Sequence, residues 1–209
     1  MSSRASGAAL PGRYEVRKAK PAQAGELARA LARAFHDDPV VSWVVPDATR
    51  RLATLERGFE LHLRRVWLHH GETYTAGDAA GACVWEPPGT WKLGARKQLS
   101  LLPAMLRIYG RTLPRLLATL NAIEKGHPER PHYYLAFVGV EPDSQGRGLG
   151  SILMHPVLQR CDAEGTPAYL EASAPRNRAL YERHGFEVTE EIHPSRSGPP
   201  IWRMWRERP

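Results

Sequence analysis

The chain predicts an α/β domain, and three observations carry that prediction. Residues 133–140, Tyr-Tyr-Leu-Ala-Phe-Val-Gly-Val, are an unbroken apolar run of strand length, read as a central strand buried on both faces. Pro142 follows, and a loop holding Gly146, Gly148 and Gly150 enters a stretch with Leu149, Ile152, Leu153, Val157 and Cys161 at helical spacing. A second strand (Ala168 to Ala172), a short helix and a closing pair of strands come after it. Strand and helix periods that alternate in this way define an α/β class.

The remaining elements follow from the N-terminus. Tyr14-Glu15-Val16-Arg17 alternates as a short strand. Residues 21–35 carry Leu27, Leu31, Ala34 and Phe35 at helical spacing, opened by a proline suited to a first turn and ended by His36-Asp37-Asp38-Pro39. Residues 49–68 repeat the pattern with Leu52, Leu55, Phe59, Leu63 and Val66. Residues 73–76 and 81–86 read as a hairpin turning at Gly77-Asp78. Residues 91–125 are helical in pattern, interrupted by Pro103 and Pro114, and are read as helices inserted between two strands. Pro156, inside the helix after the glycine loop, removes one backbone hydrogen bond. Residues 186–191 and 201–206 form the closing strands.

Composition excludes several classes. At 209 residues, 42% hydrophobic and 24% charged, the chain suits one ordinary globular domain. Residues 1–12 are small and polar and are expected to be a flexible tail. Residues 13–209 are expected to be a single domain with a helical insertion at about 90–128. No segment approaches the roughly 18 to 20 apolar residues of a membrane span, and no secretory h-region opens the chain. Cys83 and Cys161 alone make neither a disulfide framework nor a zinc site, so no metal and a cytoplasmic setting are expected. The formal charge of +7 is spread along the chain rather than gathered in a block, which does not point to specific nucleic-acid binding.

The glycine loop carries the chemistry. Glycines let a backbone curl with its N–H groups inward, and a helix N-terminus adds free donors and the positive end of a dipole. Together these bind phosphate. A P-loop needs Lys and then Ser or Thr after its second glycine, and no lysine follows Gly148 or Gly150. A dinucleotide fingerprint needs glycine at Ser151 or at Leu153. What remains is Gln145-x-x-Gly148-x-Gly150. With Asn177, Ala179, Tyr181 and Gly185-Phe186 spaced downstream, the chain resembles the GCN5-related N-acetyltransferase (GNAT) family, although Ala179 falls one place early.

That resemblance implies a mixed, mostly antiparallel twisted sheet of about seven strands flanked by helices, the acyl-CoA N-acyltransferase fold. It implies acetyl-CoA as co-substrate. Its pyrophosphate is assigned to Gln145, Gly146, Arg147, Gly148, Leu149, Gly150 and Ser151. Its pantetheine arm is assigned to backbone groups of Phe137, Val138, Gly139 and Val140, splayed from a bulge in the central strand, and to Asn177, which also suits a helix cap. An N–H of that strand, that of Val138, suits the thioester oxygen. Tyr181 matches the family tyrosine that protonates the departing thiolate; its ordinary value near 10 makes it a donor at neutral pH.

The base is less defined. Many members carry a Glu on the central strand, and residues 133–137 have none. Glu171 is the carboxylate candidate, with His132 and Glu86, at strand ends, as competitors. Asp37, Asp38 and Trp43, with the insertion, are candidates for acceptor selection, two carboxylates to draw in a cation and an indole to stack on an aromatic or nucleoside acceptor. Asp37-Asp38 ending a helix and Trp43 in the core is the structural alternative. The expected activity is N-acetylation of a small-molecule amine, an aminonucleoside among the acceptors weighed, by direct transfer in a ternary complex. A peptide or protein amine as acceptor, and an acyl-CoA sensor without turnover, are the rival readings. Monomer and homodimer are equally compatible with the sequence.

Overall fold

The computed structural model describes residues 14–207, so the expected tail at 1–12 lies outside the described residues. Seven strands make one sheet: β1 Val16–Lys18, β2 Thr73–Ala76, β3 Gly81–Glu86, β4 Tyr133–Val140, β5 Ala168–Ala172, β6 Glu187–Ile192 and β7 Ile201–Arg206. Their order is β1-β2-β3-β4-β5-β7-β6. Only β4 and β5 run parallel; the five other pairs are antiparallel. The mixed, mostly antiparallel sheet expected from the sequence is the sheet observed.

Each face of the sheet carries its own core. Helix α1 (Ala24–Ala34) buries Leu27, Ala28 and Leu31 at three- and four-residue spacing, and α3 (Ala48–His62) adds Leu55 and Phe59. These pack on Ala82, Val84 and Phe137 of the sheet. The opposite face is covered by α7 (Leu149–Glu164), whose Leu149, Leu153, Val157 and Cys161 meet Cys83, Trp85, Leu135 and Leu170. Cys161 is a buried core residue, as its place on the apolar stripe predicted.

Four sequence expectations need correction. First, α2 (Pro39–Val44) was not anticipated, although its start signal is present: Asp38 accepts from the N–H groups of Val40 and Val41, and Pro39 occupies the first turn. Second, Pro103 does not interrupt the insertion; α5 (Ala95–Tyr109) runs through it and stops at Gly110, which has φ +51. Helix α6 (Leu113–Glu124) then starts with Pro114 in its first turn, where no N–H is needed. Third, β4 is not buried along its length, since Ala136, Phe137, Val138 and Val140 are half-buried. Fourth, the helix of residues 49–68 is continuous in direction but passes through a π segment, Leu63–Trp67, before a last turn α4 (Leu68–His70).

Candidate active site

The half-burial of β4 has a direct cause. Strand β5 pairs with it only at Tyr133–Ala168, Tyr134–Tyr169 and Leu135–Leu170. Beyond those residues the strands part, leaving the edges of both open. On its other side β4 stays paired with β3, but the register jumps: Trp85 faces Leu135 and Val84 faces Phe137, so Ala136 is an extra residue. Such a bulge breaks the alternation of the strand. Ala136 and Phe137 consequently both face the α1 side, whereas Leu135 and Val138 face α7. The bulge expected in the central strand is therefore present, at Ala136.

The glycine loop stands at the open end of this split. Gly146 and Gly148 have φ of +74 and +78, and a Cβ built on either would meet no atom within 4 Å. Gly150, by contrast, is helical and packs beside Leu180 and Val140, so only two of the three glycines use positive φ. Gln145 donates its amide N–H to the carbonyl of Val140 at 3.0 Å and closes the loop back on β4. The N–H of Ile152 makes the first helical bond of α7, to Gly148. Leu149, Gly150 and Ser151 thus present first-turn N–H groups toward the open cradle. Arg147 is exposed beside it, and the Ser151 hydroxyl is 2.9 Å from His184 Nε2.

Tyr181 and Glu171 lie on opposite faces of the split. Tyr181, on α8 (Pro175–Glu182), is packed in the α7-side core. Burial raises its phenol above the ordinary value, and the nearby Cys83 and Asp38 raise it further. Its hydroxyl makes no hydrogen bond among the described residues. Along β5, Ala168, Leu170 and Ala172 point to α7, so Tyr169 and Glu171 point the other way. Glu171 is the first β5 residue past the last β4–β5 pair. Its side chain is buried, 3.7 Å from His127, with Arg203 as its cross-strand partner on β7. Glu171 also raises the phenols of Tyr134 and Tyr169 by its charge, after burial.

Glu86, at the end of β3 opposite Tyr134, is a second buried carboxylate on this face. Burial pushes it up to about 7, partly offset by Trp67. His132 sits just before β4 and donates from Nδ1 to the Arg130 carbonyl at 2.6 Å. Asn177 is not the cap of α8, which is Ala174; its side chain is half-buried and makes no hydrogen bond among the described residues.

The acceptor candidates separate. Asp38 is buried, accepts from Val40, Val41 and the Ser173 hydroxyl (2.5 Å), and is raised by burial in spite of those bonds. It thereby ties the α1–α2 turn to the end of β5. Asp37 is exposed and paired with His36. Trp43 lies under the Arg115 guanidinium of α6, 5.5 Å from the ring centre. Sequence reading missed Arg51, which is buried and donates to the carbonyls of His36, Val45 and Pro46, fixing the same turn. It also missed His127 and Trp91, whose rings stack at 3.7 Å over the Glu171 side of the split. A lone His after a helix and a lone Trp before one carry no pattern.

The sheet, its parted strands and the loop before α7 define the acyl-CoA N-acyltransferase fold. A profile described as "Acetyltransferase (GNAT) family" matches residues 84–186. An uncharacterized N-acetyltransferase of Schizosaccharomyces pombe is 31% identical over 188 residues, covering 84% of this chain and 75% of that protein. This chain belongs to the GNAT family of acetyltransferases. Among solved structures, a Corynebacterium glutamicum protein described as histone acetyltransferase HPA2 and related acetyltransferase aligns at 26% identity and TM-score 0.73, covering 94% of this chain and 97% of the other. Drosophila melanogaster polyamine N-acetyltransferase, which forms N-acetylagmatine, aligns at 17% identity and TM-score 0.59, covering 93% and 100%.

Proposed function

We propose that this chain transfers the acetyl group of acetyl-CoA to the amine of a small molecule, directly, in a ternary complex. The observation that carries the reading is the split between β4 and β5, with Tyr181 on one face and Glu171 on the other. A thioester lying in the split along Phe137, Val138 and Val140 would be open to attack from the Glu171 side. Its leaving sulfur would lie on the Tyr181 side. Glu171 takes the ammonium proton; the freed nitrogen pair attacks the carbonyl carbon, and the N–H of Val138 is the oxyanion donor. Collapse breaks the C–S bond, Tyr181 gives its proton to the thiolate, and the second proton of the acylated nitrogen returns to the Tyr181 oxygen through water, leaving the neutral amide. Burial makes the phenol a weaker acid than in water, but it disfavours the thiolate it serves as well. The cradle of Gln145 to Ser151 holds the pyrophosphate, and Asn177 the pantetheine amide.

A small acceptor is favoured by the roof over the Glu171 side. Trp91 covers His127, Lys92 pairs with Glu124, and Arg115 joins α6 to α2 through Trp43. A peptide acceptor would need an open groove there. The aromatic rings of Trp91, Tyr134 and Tyr169 gathered around His127 suit a flat acceptor, so aminonucleosides such as puromycin head the candidates. A panel of amines, including puromycin, agmatine and a peptide with a free N-terminus, tests this by release of CoA thiol and by mass of the product. Acetylation of the peptide alone would overturn the small-molecule reading. No thiol release with any amine would favour a non-catalytic acyl-CoA binder.

A further inference from the structure

His127 follows α6 and brings the helical insertion to Glu171. Its Nε2 is 3.0 Å from Nε2 of His132. The other nitrogen of His132 faces the Arg130 carbonyl, which can only accept, so His132 carries its proton on Nδ1 and offers a lone pair at Nε2. His127 therefore donates from Nε2. Its Nδ1 is left 3.7 Å from Glu171 Oε1, and both atoms are buried without a hydrogen-bond partner. With His127 neutral, a nitrogen lone pair would confront a carboxylate oxygen in a dry site, an arrangement costing several kcal/mol in general. A proton on Nδ1 removes the conflict and makes the contact an ion pair.

The stacked indole favours that placement of the proton. Trp91 stacks on the His127 ring with 21° between planes, and a π face stabilises an imidazolium. The other groups facing His127 are His132 itself, Tyr134 on β4 and Tyr169 on β5, and Trp205 on β7 faces His132 in turn. Glu86 stands opposite Tyr134 on β3.

We propose that His127 is a positioning residue for acetyl transfer: as an imidazolium held by His132 and Trp91, it fixes Glu171 Oε1 and leaves Oε2 as the atom that meets the acceptor ammonium. In the step it supports, one N–H bond breaks and one Oε2–H bond forms, while the electron pair stays on nitrogen. The insertion is on this account part of the catalytic machinery and not a surface decoration. The inference rests on the N-acetylation reading with Glu171 as base.

Its test uses the full chain with an accepted amine. His127→Leu should lower kcat about 10- to 100-fold and move the acidic limb of the kcat/KM profile to higher pH, because the proposed cation beside the base is removed. Stabilisation by acetyl-CoA should stay as in the parent protein. His127→Asn, whose amide N–H can replace Nδ1–H, should recover most of kcat. In the parent protein, ¹⁵N shifts of labelled histidine should show both nitrogens of His127 protonated at pH 7. An unmoved acidic limb, an Asn variant no better than the Leu variant, or a bare Nδ1 in the ¹⁵N spectrum would overturn the proposal. Glu171→Gln separates the two levels: full turnover in that variant removes Glu171 as base, whereas a large loss there with no effect at His127 removes only the positioning role.

Discussion

Arg33 of α1 grips Glu141, the first residue after β4, through two parallel hydrogen bonds of 2.7 and 2.5 Å. A helix on one face of the sheet is thereby tied to the entrance of the loop that faces the other. The Glu141 partner also raises the Arg33 guanidinium further above its ordinary range. Both side chains retain solvent contact, so the pair is expected to stabilise the fold by only about 0.5–1 kcal/mol. Its larger effect should be on the loop. Arg33→Met and Glu141→Gln should each weaken acetyl-CoA binding several-fold by calorimetry, and the double variant should be no worse than either. Additive losses would show that the two act separately.

Gly148 should be where acetyl-CoA binding and unliganded stability separate. Its φ of +78 makes a β-branched replacement strained by about 1–2 kcal/mol whatever the ligand. Asparagine tolerates this region, and its side chain would enter the space in front of the α7 donors. Gly148→Asn should melt near the parent temperature without ligand and lose the stabilisation by acetyl-CoA, about 2.7 kcal/mol at a hundredfold excess over Kd. Retained stabilisation would remove the loop from the phosphate site.

Tyr181→Phe removes a hydroxyl that has no partner among the described residues and keeps a ring packed at 6.2 Å from Phe186. Stability and acetyl-CoA affinity should change little, while single-turnover transfer slows about 10²- to 10⁴-fold. The loss should shrink with a thioester whose thiol leaves more readily. Unchanged single-turnover rates would assign the proton to water.

Glu86 predicts a pH dependence of stability. Its ordinary value of 4.5 is raised by burial to about 7, so the folded state binds the proton more tightly than the unfolded one. The contribution is complete below about 4.5 and is lost as pH rises through about 7, about 3 kcal/mol in all. Glu86→Gln should therefore gain on the parent protein by about that much between pH 5 and 8 in urea melts. Parallel stability curves would place the raised value elsewhere.

The central part of the candidate site was legible as a pattern because its signal is written in local order. Gln145 to Gly150 needs only consecutive residues, and Tyr181 follows at fixed spacing on the next helix. The acceptor side was not legible because its residues converge from distant segments. Asp38 reaches Ser173 across 135 positions, and Arg51 gathers carbonyls from a turn that precedes it. The strand reading erred at Phe137 and Val138 for a related reason: an apolar run reports that a strand avoids water, and a parting neighbour leaves the same signature. Helix α2 was missed although Asp38-Pro39 is a start signal, since six residues are too few to show a period.

The extra residue at Ala136 gives β4 two grammars in one strand. Before it, odd-numbered side chains face α7; after it, even-numbered ones do. Residues 133–135 pair with β5, whereas residues 137–140 keep only their pairing with β3. Deleting Ala136 would restore plain alternation, with Leu135 and Val138 still toward α7 and Phe137 still toward α1, and would remove the bulge beside which β4 leaves β5. The extra residue, rather than any one side chain, marks where β4 leaves β5 along these eight residues.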